Sequence, residues 1–137
     1  MRVFYAFRIN KYFYDFYSKN PYNLYKMLQE IHYIKYYNIE DTKKQLMQII
    51  NRIDVDKINT QISDDLDDLN SYFNKKNIHI ICSNCEYTKM IVEDYVIKIK
   101  SNQNCPLFLK YLKEDNLFIC DFVYREYFFL NLEKIIA

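Results

Sequence analysis

The 137-residue chain contains no glycine and two prolines. Glycine adopts left-handed backbone conformations without steric cost, and the loops that wrap closely around phosphate groups depend on this freedom. The absence of glycine therefore argues against a glycine-rich phosphate-binding loop. Turns must instead be built from Asn, Asp, Ser, Lys and the two Pro residues, which favours looser connections.

Long apolar runs are missing too. No segment approaches the length of a membrane-spanning helix, and the amino-terminal residues alternate polar and apolar side chains without the continuous apolar core of a secretory signal. We therefore expect a cytoplasmic protein with no membrane partner. In that compartment the four cysteines should remain reduced thiols. With 19 basic and 18 acidic side chains, the chain also lacks the basic excess typical of nucleic-acid-binding proteins.

What the sequence does contain is the balance of a globular protein, with 50% hydrophobic and 27% charged residues. A chain of this length can bury a substantial core without help from disulfides or metals, and no repeat or low-complexity linker divides it. We therefore predict a single domain over residues 1–137. No sequence motif calls for a cofactor.

Hydrophobic periodicity divides the chain into a mixed front part and a strand-rich back part. Residues 2–9 alternate as a strand does, and Asn20-Pro21 is a typical helix start. The predicted helices cover residues 21–35, 40–52, 56–74 and 105–114, and the later strands cover 78–82, 87–92, 95–100, 117–124 and 127–132. Residues 33–39 are predicted to be a connection. The fold class predicted is α+β, a two-layer α/β arrangement in which a largely antiparallel sheet of about five strands packs with three to four helices.

Two of these segments carry explicit burial predictions. The helix over 56–74 places five apolar residues on one buried side: Ile58, Ile62, Leu66, Leu69 and Phe73. Its solvated side carries four aspartates: Asp64, Asp65, Asp67 and Asp68. The first strand of the closing hairpin is apolar on both faces in its first half and should be central in the sheet.

Ten residues, Asn10 to Lys19, contain five aromatic side chains. On a helix, Phe13, Phe16 and Tyr17 share one face, whereas Tyr12 and Tyr14 point elsewhere and should meet water or a partner. Aromatic side chains are frequent anchors of protein interfaces. We therefore predict a partner-binding surface that includes Phe13, Tyr17 and Tyr14, with Phe16 expected to contact the core.

Cysteine and histidine supply the alternative chemistry. Cys82 and Cys85 form a CxxC motif, and together with Cys105 and Cys120 they match the number of thiolates in a structural zinc site. Their spacing does not match, because the second pair is separated by fourteen residues and Cys120 lies in an apolar strand. A redox role is disfavoured because no helix is predicted to begin at the CxxC. A zinc-dependent or thiol-dependent protein is thus an alternative, with no metal ligand assigned. His79 and Cys82 are three residues apart on a strand, which puts them on opposite faces.

The two ends of the sequence resemble the SirA family, the sporulation inhibitors of replication of endospore-forming bacteria. The resemblance covers residues 1–32 and the carboxyl-terminal third of the chain. It is carried by residues 4–9, Phe13, Tyr17, Tyr25, Leu28, Gln29 and His32, and by residues 107–113, 118–121 and 130–131. Near Lys19 the family has a helix-ending glycine that this sequence lacks.

The resemblance implies a single-domain, non-enzymatic protein that binds the amino-terminal domain of the replication initiator DnaA and blocks initiation at the chromosomal origin, without direct nucleic-acid contact. In that family two aromatic side chains of the first helix enter crevices on DnaA, and they correspond to Phe13 and Tyr17. A glutamine on a following helix corresponds to Gln45. A mobile-element protein with the same fold and a different host target is a further alternative.

Overall fold

The computed structural model describes residues 1–33 and 39–130. These two ranges contain five helices and seven strands. In chain order they are β1 (Arg2–Arg8), α1 (Lys11–Lys19), α2 (Pro21–Tyr33), α3 (Ile39–Ile49), α4 (Val55–Leu66), β2 (Tyr72–Lys75), β3 (Ile78–Cys82), β4 (Tyr87–Val92), β5 (Ile97–Ser101), α5 (Phe108–Tyr111), β6 (Leu117–Asp121) and β7 (Glu126–Phe129). Most of the connection predicted over residues 33–39, and the end of the last predicted strand, lie outside the described residues.

All seven strands form one antiparallel sheet in the order β2-β3-β4-β5-β1-β6-β7. Four of the strands follow one another as a meander, β2 to β5, whereas β1 lies between β5 and β6. Its register pairs Val3 with Lys100 and Tyr5 with Cys120. The strand that begins the chain is therefore an internal strand of the sheet.

Side chains that alternate along β1 enter two separate cores. Phe4 and Ala6 belong to a core in which α4 and α5 pack on one face of the sheet. Tyr5 and Phe7 pack against a second core that includes residues of α2 and α3 on the opposite face. Helices therefore cover both faces of the sheet, but α2 and α3 reach only its β1-β6-β7 half.

The α+β class and the antiparallel sheet predicted from sequence are confirmed. The described sheet has seven strands instead of about five. Helices pack on both of its faces, which makes three layers where two were predicted. The strand β6, predicted to be central, is buried at all five residues and lies between β1 and the edge strand β7, so it is internal but one strand from the edge. No helix in the described part of the chain is both long enough and apolar enough to cross a membrane.

The predicted helix over 56–74 is too long. The helix α4 ends at Leu66, two turns follow, and Tyr72 and Phe73 belong to β2. Ile58, Ile62 and Leu66 are buried as predicted, but Leu69 and Phe73 are exposed. The helical spacing of the apolar residues continues past Leu66 by coincidence, and backbone pairing of β2 with β3 overrides it.

Three residues other than glycine take the left-handed backbone conformation that glycine usually provides. They are Lys76 and Arg125, in the β2-β3 and β6-β7 turns, and Asn116, directly before β6. Each costs of the order of 1 kcal/mol relative to glycine, least for Asn. The chain therefore makes tight turns without glycine, contrary to the expectation of looser connections.

Arg2 connects the amino terminus to the β6-β7 hairpin. Its Nε donates to Asp121 Oδ2 at 2.9 Å and its Nη2 donates to Glu126 Oε2 at 2.6 Å. The guanidinium carbon lies 4.6 Å from the ring centroids of both Phe4 and Tyr124. Burial by itself would lower the pKa of Arg2, but the hydrogen bonds to Glu126 and Asp121 outweigh it and raise that pKa.

His79 is fully buried under α4. Its Nδ1 lies 2.7 Å from the Tyr72 hydroxyl and 3.2 Å from Asn74 Nδ2, and its Nε2 lies 2.8 Å from Asn59 Oδ1. An imidazole whose Nδ1 accepts and whose Nε2–H donates satisfies these contacts, which assigns the neutral Nε2–H tautomer. Desolvation lowers the pKa of His79 to about 4.

Candidate partner-binding site

Asparagine side chains define both ends of α1. The Asn10 side chain accepts a hydrogen bond from the Tyr12 backbone N–H at 3.0 Å. At the other end, the Asn20 amide donates to the Phe16 carbonyl at 2.9 Å, and the Asn20 backbone N–H donates to the Tyr17 carbonyl at 3.1 Å. Because Asn20 ends the helix with a negative φ of −133°, no glycine is needed there. Pro21 then begins α2 at once.

The helix α1 lies on the surface. It is described in full, and none of its nine residues is buried. Three of its aromatic side chains are exposed: Tyr12 by 80%, Phe16 by 55% and Phe13 by 38%. At about 100° per residue, positions 12, 13 and 16 lie within about 100° of one another around the helix axis. The three rings therefore share one side of α1, which we call the α1 aromatic face and define as Tyr12, Phe13 and Phe16.

The other two aromatic residues of α1 face the protein. Tyr14 is half-buried, and its ring meets Phe129 edge-on at 5.2 Å. Tyr17 is half-buried against the core that includes residues of α2. The centroid of its ring lies 5.1 Å from that of the Phe16 ring. The expected core contact of Phe16 is therefore wrong. Tyr14 and Tyr17 make that contact instead and leave Phe16 in solvent.

Gln45 is exposed on α3. The carboxyl end of α3 meets the amino end of α1, where the Asn10 N–H donates to the Ile49 carbonyl at 2.6 Å. Gln45 is one turn before Ile49, and Phe13 is one turn into α1. Of the predicted binding residues, the structure thus places Phe13 and Gln45 on the exposed surfaces of neighbouring helix ends, whereas Tyr14 and Tyr17 lie partly inside.

The sequence prediction placed Phe16 against the core and left Tyr12 to face water or a partner, whereas both side chains are exposed. Their spacing of four residues is the same as that of Phe13 and Tyr17, so either pair can present two rings side by side. The hydrophobicity of the five rings does not distinguish the pairs. The orientation of α1 depends on the tertiary contact of Tyr14 with Phe129 of β7, together with the start of α2 directly after Asn20.

The cysteines do not form the four-thiolate site considered above. Cys82 ends β3, and Cys120 lies in β6, four strand spacings across the sheet. At the usual spacing the two strands are about 19 Å apart. One zinc ion cannot bind both cysteines, because each zinc–sulfur bond is only about 2.3 Å long. The CxxC forms a turn between β3 and β4 and not the start of a helix. Within residues 1–33 and 39–130, no cluster of three or more Cys, His, Asp or Glu side chains has an arrangement that could hold a metal ion.

Thiol labelling should separate the cysteines into two groups. Cys82, Cys85 and Cys105 are exposed, whereas Cys120 is buried and its burial raises its pKa. We expect iodoacetamide to modify three cysteines of the folded protein and to reach Cys120 only in denaturant, as read by peptide mass spectrometry. Rapid native modification of Cys120 would contradict its position in the core.

No protein-family model matches the chain, and no curated protein matches it significantly.

Proposed function

We propose that the protein is a non-enzymatic, stoichiometric inhibitor of DNA replication initiation. It acts in the cytoplasm by binding the amino-terminal domain of DnaA, and α1 is the element that docks. The proposal rests on the resemblance of the two chain ends to the SirA family and on one structural observation, the α1 aromatic face. A short helix capped at both ends exposes three large aromatic side chains there, although exposing such rings to water is unfavourable.

The geometry of α1 supports a docking role in two ways. Tyr14 and Tyr17 hold the helix against the body of the protein, so the exposed rings are presented on a rigid support and lose little conformational freedom on binding. Gln45 supplies a polar group at the neighbouring helix end. Aromatic anchor residues with polar groups at the rim are typical of protein–protein interfaces.

The exposure of the rings supports roles within the proposed interface that differ from those implied by the resemblance. Phe13 and Phe16 are the anchors, because both rings are available to enter a crevice on DnaA. The exposed part of the Tyr17 side chain also belongs to the interface, and the Tyr17 ring packs edge-on against the Phe16 ring. Tyr14 positions the helix against β7.

Isothermal titration calorimetry with the isolated DnaA amino-terminal domain tests the proposal. Phe13→Ala and Phe16→Ala should each weaken binding by about 1 kcal/mol or more, the threshold of an anchor residue, and leave the thermal unfolding temperature nearly unchanged. Tyr17→Ala should weaken binding as well, but it should also lower stability, because Tyr17 packs on the core.

Phe73→Ala is the matched control. Phe73 is the same residue type as Phe16 and is exposed to a similar extent, 57% against 55%, but it lies on β2 at the opposite edge of the sheet from β7, which α1 contacts. It should bind the DnaA domain as the unchanged protein does. If the DnaA domain does not bind, or binds independently of Phe13 and Phe16, the proposal is wrong and a different host target for this fold becomes the better explanation.

A further inference from the structure

Within residues 1–33 and 39–130, helices cover one half of the sheet on a single face only. The core beneath α4 and α5 buries one side of β2, β3, β4 and β5, and α2 and α3 cover the other side only at β1, β6 and β7. We call the uncovered side of β2 to β5 the open sheet face. Its central apolar residues, Ile78, Ile80 and Ile91, are half-buried by their neighbours and belong to neither core.

The open sheet face is basic. Strand alternation and register direct ten side chains of these strands to it: four lysines, three isoleucines, two aromatic residues and one cysteine, with no acidic residue. Lys89 and Lys100 are directly opposite each other across β4 and β5, and Lys98 is opposite Ile91. Lys98 forms an exposed ion pair with Glu93 at 3.6 Å. Among the described residues, no ion pair involves the remaining three lysines, Lys75, Lys89 and Lys100.

Acidic side chains lie on the opposite side of the sheet. The outer surface of α4 and the turn after it carry Asp56, Asp64, Asp65, Asp67 and Asp68, all exposed. A formal net charge of +1 therefore conceals two surfaces of opposite sign separated by the sheet. Such a separation attracts a negatively charged partner to the open sheet face and repels it from α4.

We propose that the open sheet face binds an acidic amphipathic α-helix of a partner protein, with the apolar stripe of that helix on the isoleucines and its carboxylates beside the lysines. The four strands are about 14 Å across from β2 to β5, which accommodates one helix of about 10–12 Å diameter. The partner helix would complete the helical layer that α2 and α3 leave unfinished.

An acidic amphipathic helix already packs on the opposite, apolar face of the same strands. The helix α4 has an apolar stripe of Ile58, Ile62 and Leu66 with aspartates beside it, and it covers the other face of the same strands. A groove of about 270 Å³ borders the open sheet face on the α2 side, where His32, Val96 and Lys98 contribute to its lining. The helix α2, on the far side of this groove, limits how far the partner helix can lie towards β1.

Other occupants fit less well. A single-stranded nucleic acid stacks its bases on aromatic rings, but the centre of the open sheet face is aliphatic and its two aromatic side chains, Phe73 and Tyr87, lie two strands apart. A second copy of the chain would have to offer α4, whose apolar stripe is already buried. The last seven residues of the chain carry one acidic and one basic side chain and so do not complement four lysines.

The probe for the test is a synthetic helical peptide with leucines at i, i+3, i+4 and i+7 and glutamates on both flanks, labelled for fluorescence anisotropy with the full chain. A peptide of the same composition in scrambled order is its control. The peptide should bind with a Kd below about 1 mM, and the double variant Lys89→Glu/Lys100→Glu should weaken binding by roughly tenfold or more. In the unchanged protein, peptide addition should shift the methyl NMR signals of Ile78, Ile80 and Ile91.

Lys26→Glu/Lys110→Glu is the matched control variant, because it changes the net charge equally at exposed lysines on α2 and α5. It should reduce binding far less, and Phe13→Ala should leave peptide binding unchanged. Equal losses in both double variants, equal binding of the scrambled peptide, methyl shifts confined to residues around α4, or no binding would overturn the proposal. Tighter binding of an oligothymidylate at the same lysines would overturn it in favour of a nucleic acid.

Discussion

Replacing Arg2 by alanine is expected to lower the free energy of unfolding by about 3–5 kcal/mol, because removing one partner of a buried ion pair leaves the other charge uncompensated. The charge left behind is Asp121, which is 1% exposed. Its second oxygen accepts hydrogen bonds from the backbone N–H groups of Val123 and Tyr124 in the β6-β7 turn. The substitution should therefore loosen the turn as well as the amino terminus.

Guanidinium denaturation at neutral pH measures this effect, and Arg52→Ala provides the control. Arg52 pairs with Asp94 at 3.5 Å, but both side chains are more than half exposed, and such pairs contribute about 1 kcal/mol or less. Arg2→Lys should also be destabilising, because an ammonium group cannot reproduce the forked contacts to Asp121 and Glu126. A cost for Arg2→Ala as small as that for Arg52→Ala would show that the buried cluster does not stabilise the fold.

The second large effect concerns the dependence of stability on pH. The pKa of His79 falls from 6.5 in the unfolded chain to about 4 in the fold, so folding favours the neutral imidazole. Between these two values the unfolded state binds more protons than the folded state, and the free energy of unfolding must therefore decrease as the pH falls. The difference corresponds to about 3 kcal/mol, fully present above pH 6.5 and lost by about pH 4.

Urea denaturation at several pH values between 7 and 4 should show this decrease, and His79→Gln should remove most of it, although the variant is less stable at pH 7. The control is His32→Gln. Burial and the charge of Lys98 lower the pKa of His32 as well, but His32 lies at the protein surface, so its removal should leave most of the slope in place. A slope that is the same in His79→Gln and in the unchanged protein would contradict the assignment of a neutral, buried His79.

Much of the fold follows from local patterns. Alternation in β1, the helix start at Pro21 and the two-sided apolar character of β6 each have one physical interpretation, and the structure has the same elements. The patterns fail where two interpretations compete. The spacing of Leu66, Leu69 and Phe73 fits a helix, but the pairing of β2 with β3 is a contact between segments, which no local window contains.

The candidate site shows the same limit. The sequence indicates that five aromatic residues crowd one short helix, but which of them remain outside depends on Phe129, more than a hundred residues later. The basic surface was missed for a related reason. Net charge adds the lysines of β2, β4 and β5 to the aspartates of α4, and only the fold reveals that the sheet separates them.

The internal position of β1 also affects how the protein reaches its folded state. Residues 2–8 leave the ribosome before their pairing partners, residues 97–101 and 117–121. Closing such long loops costs entropy before any contact compensates for it, which slows folding. Until β6 has been synthesised, β1 has an unpaired edge that exposes apolar side chains, the state in which nascent chains are most prone to aggregate.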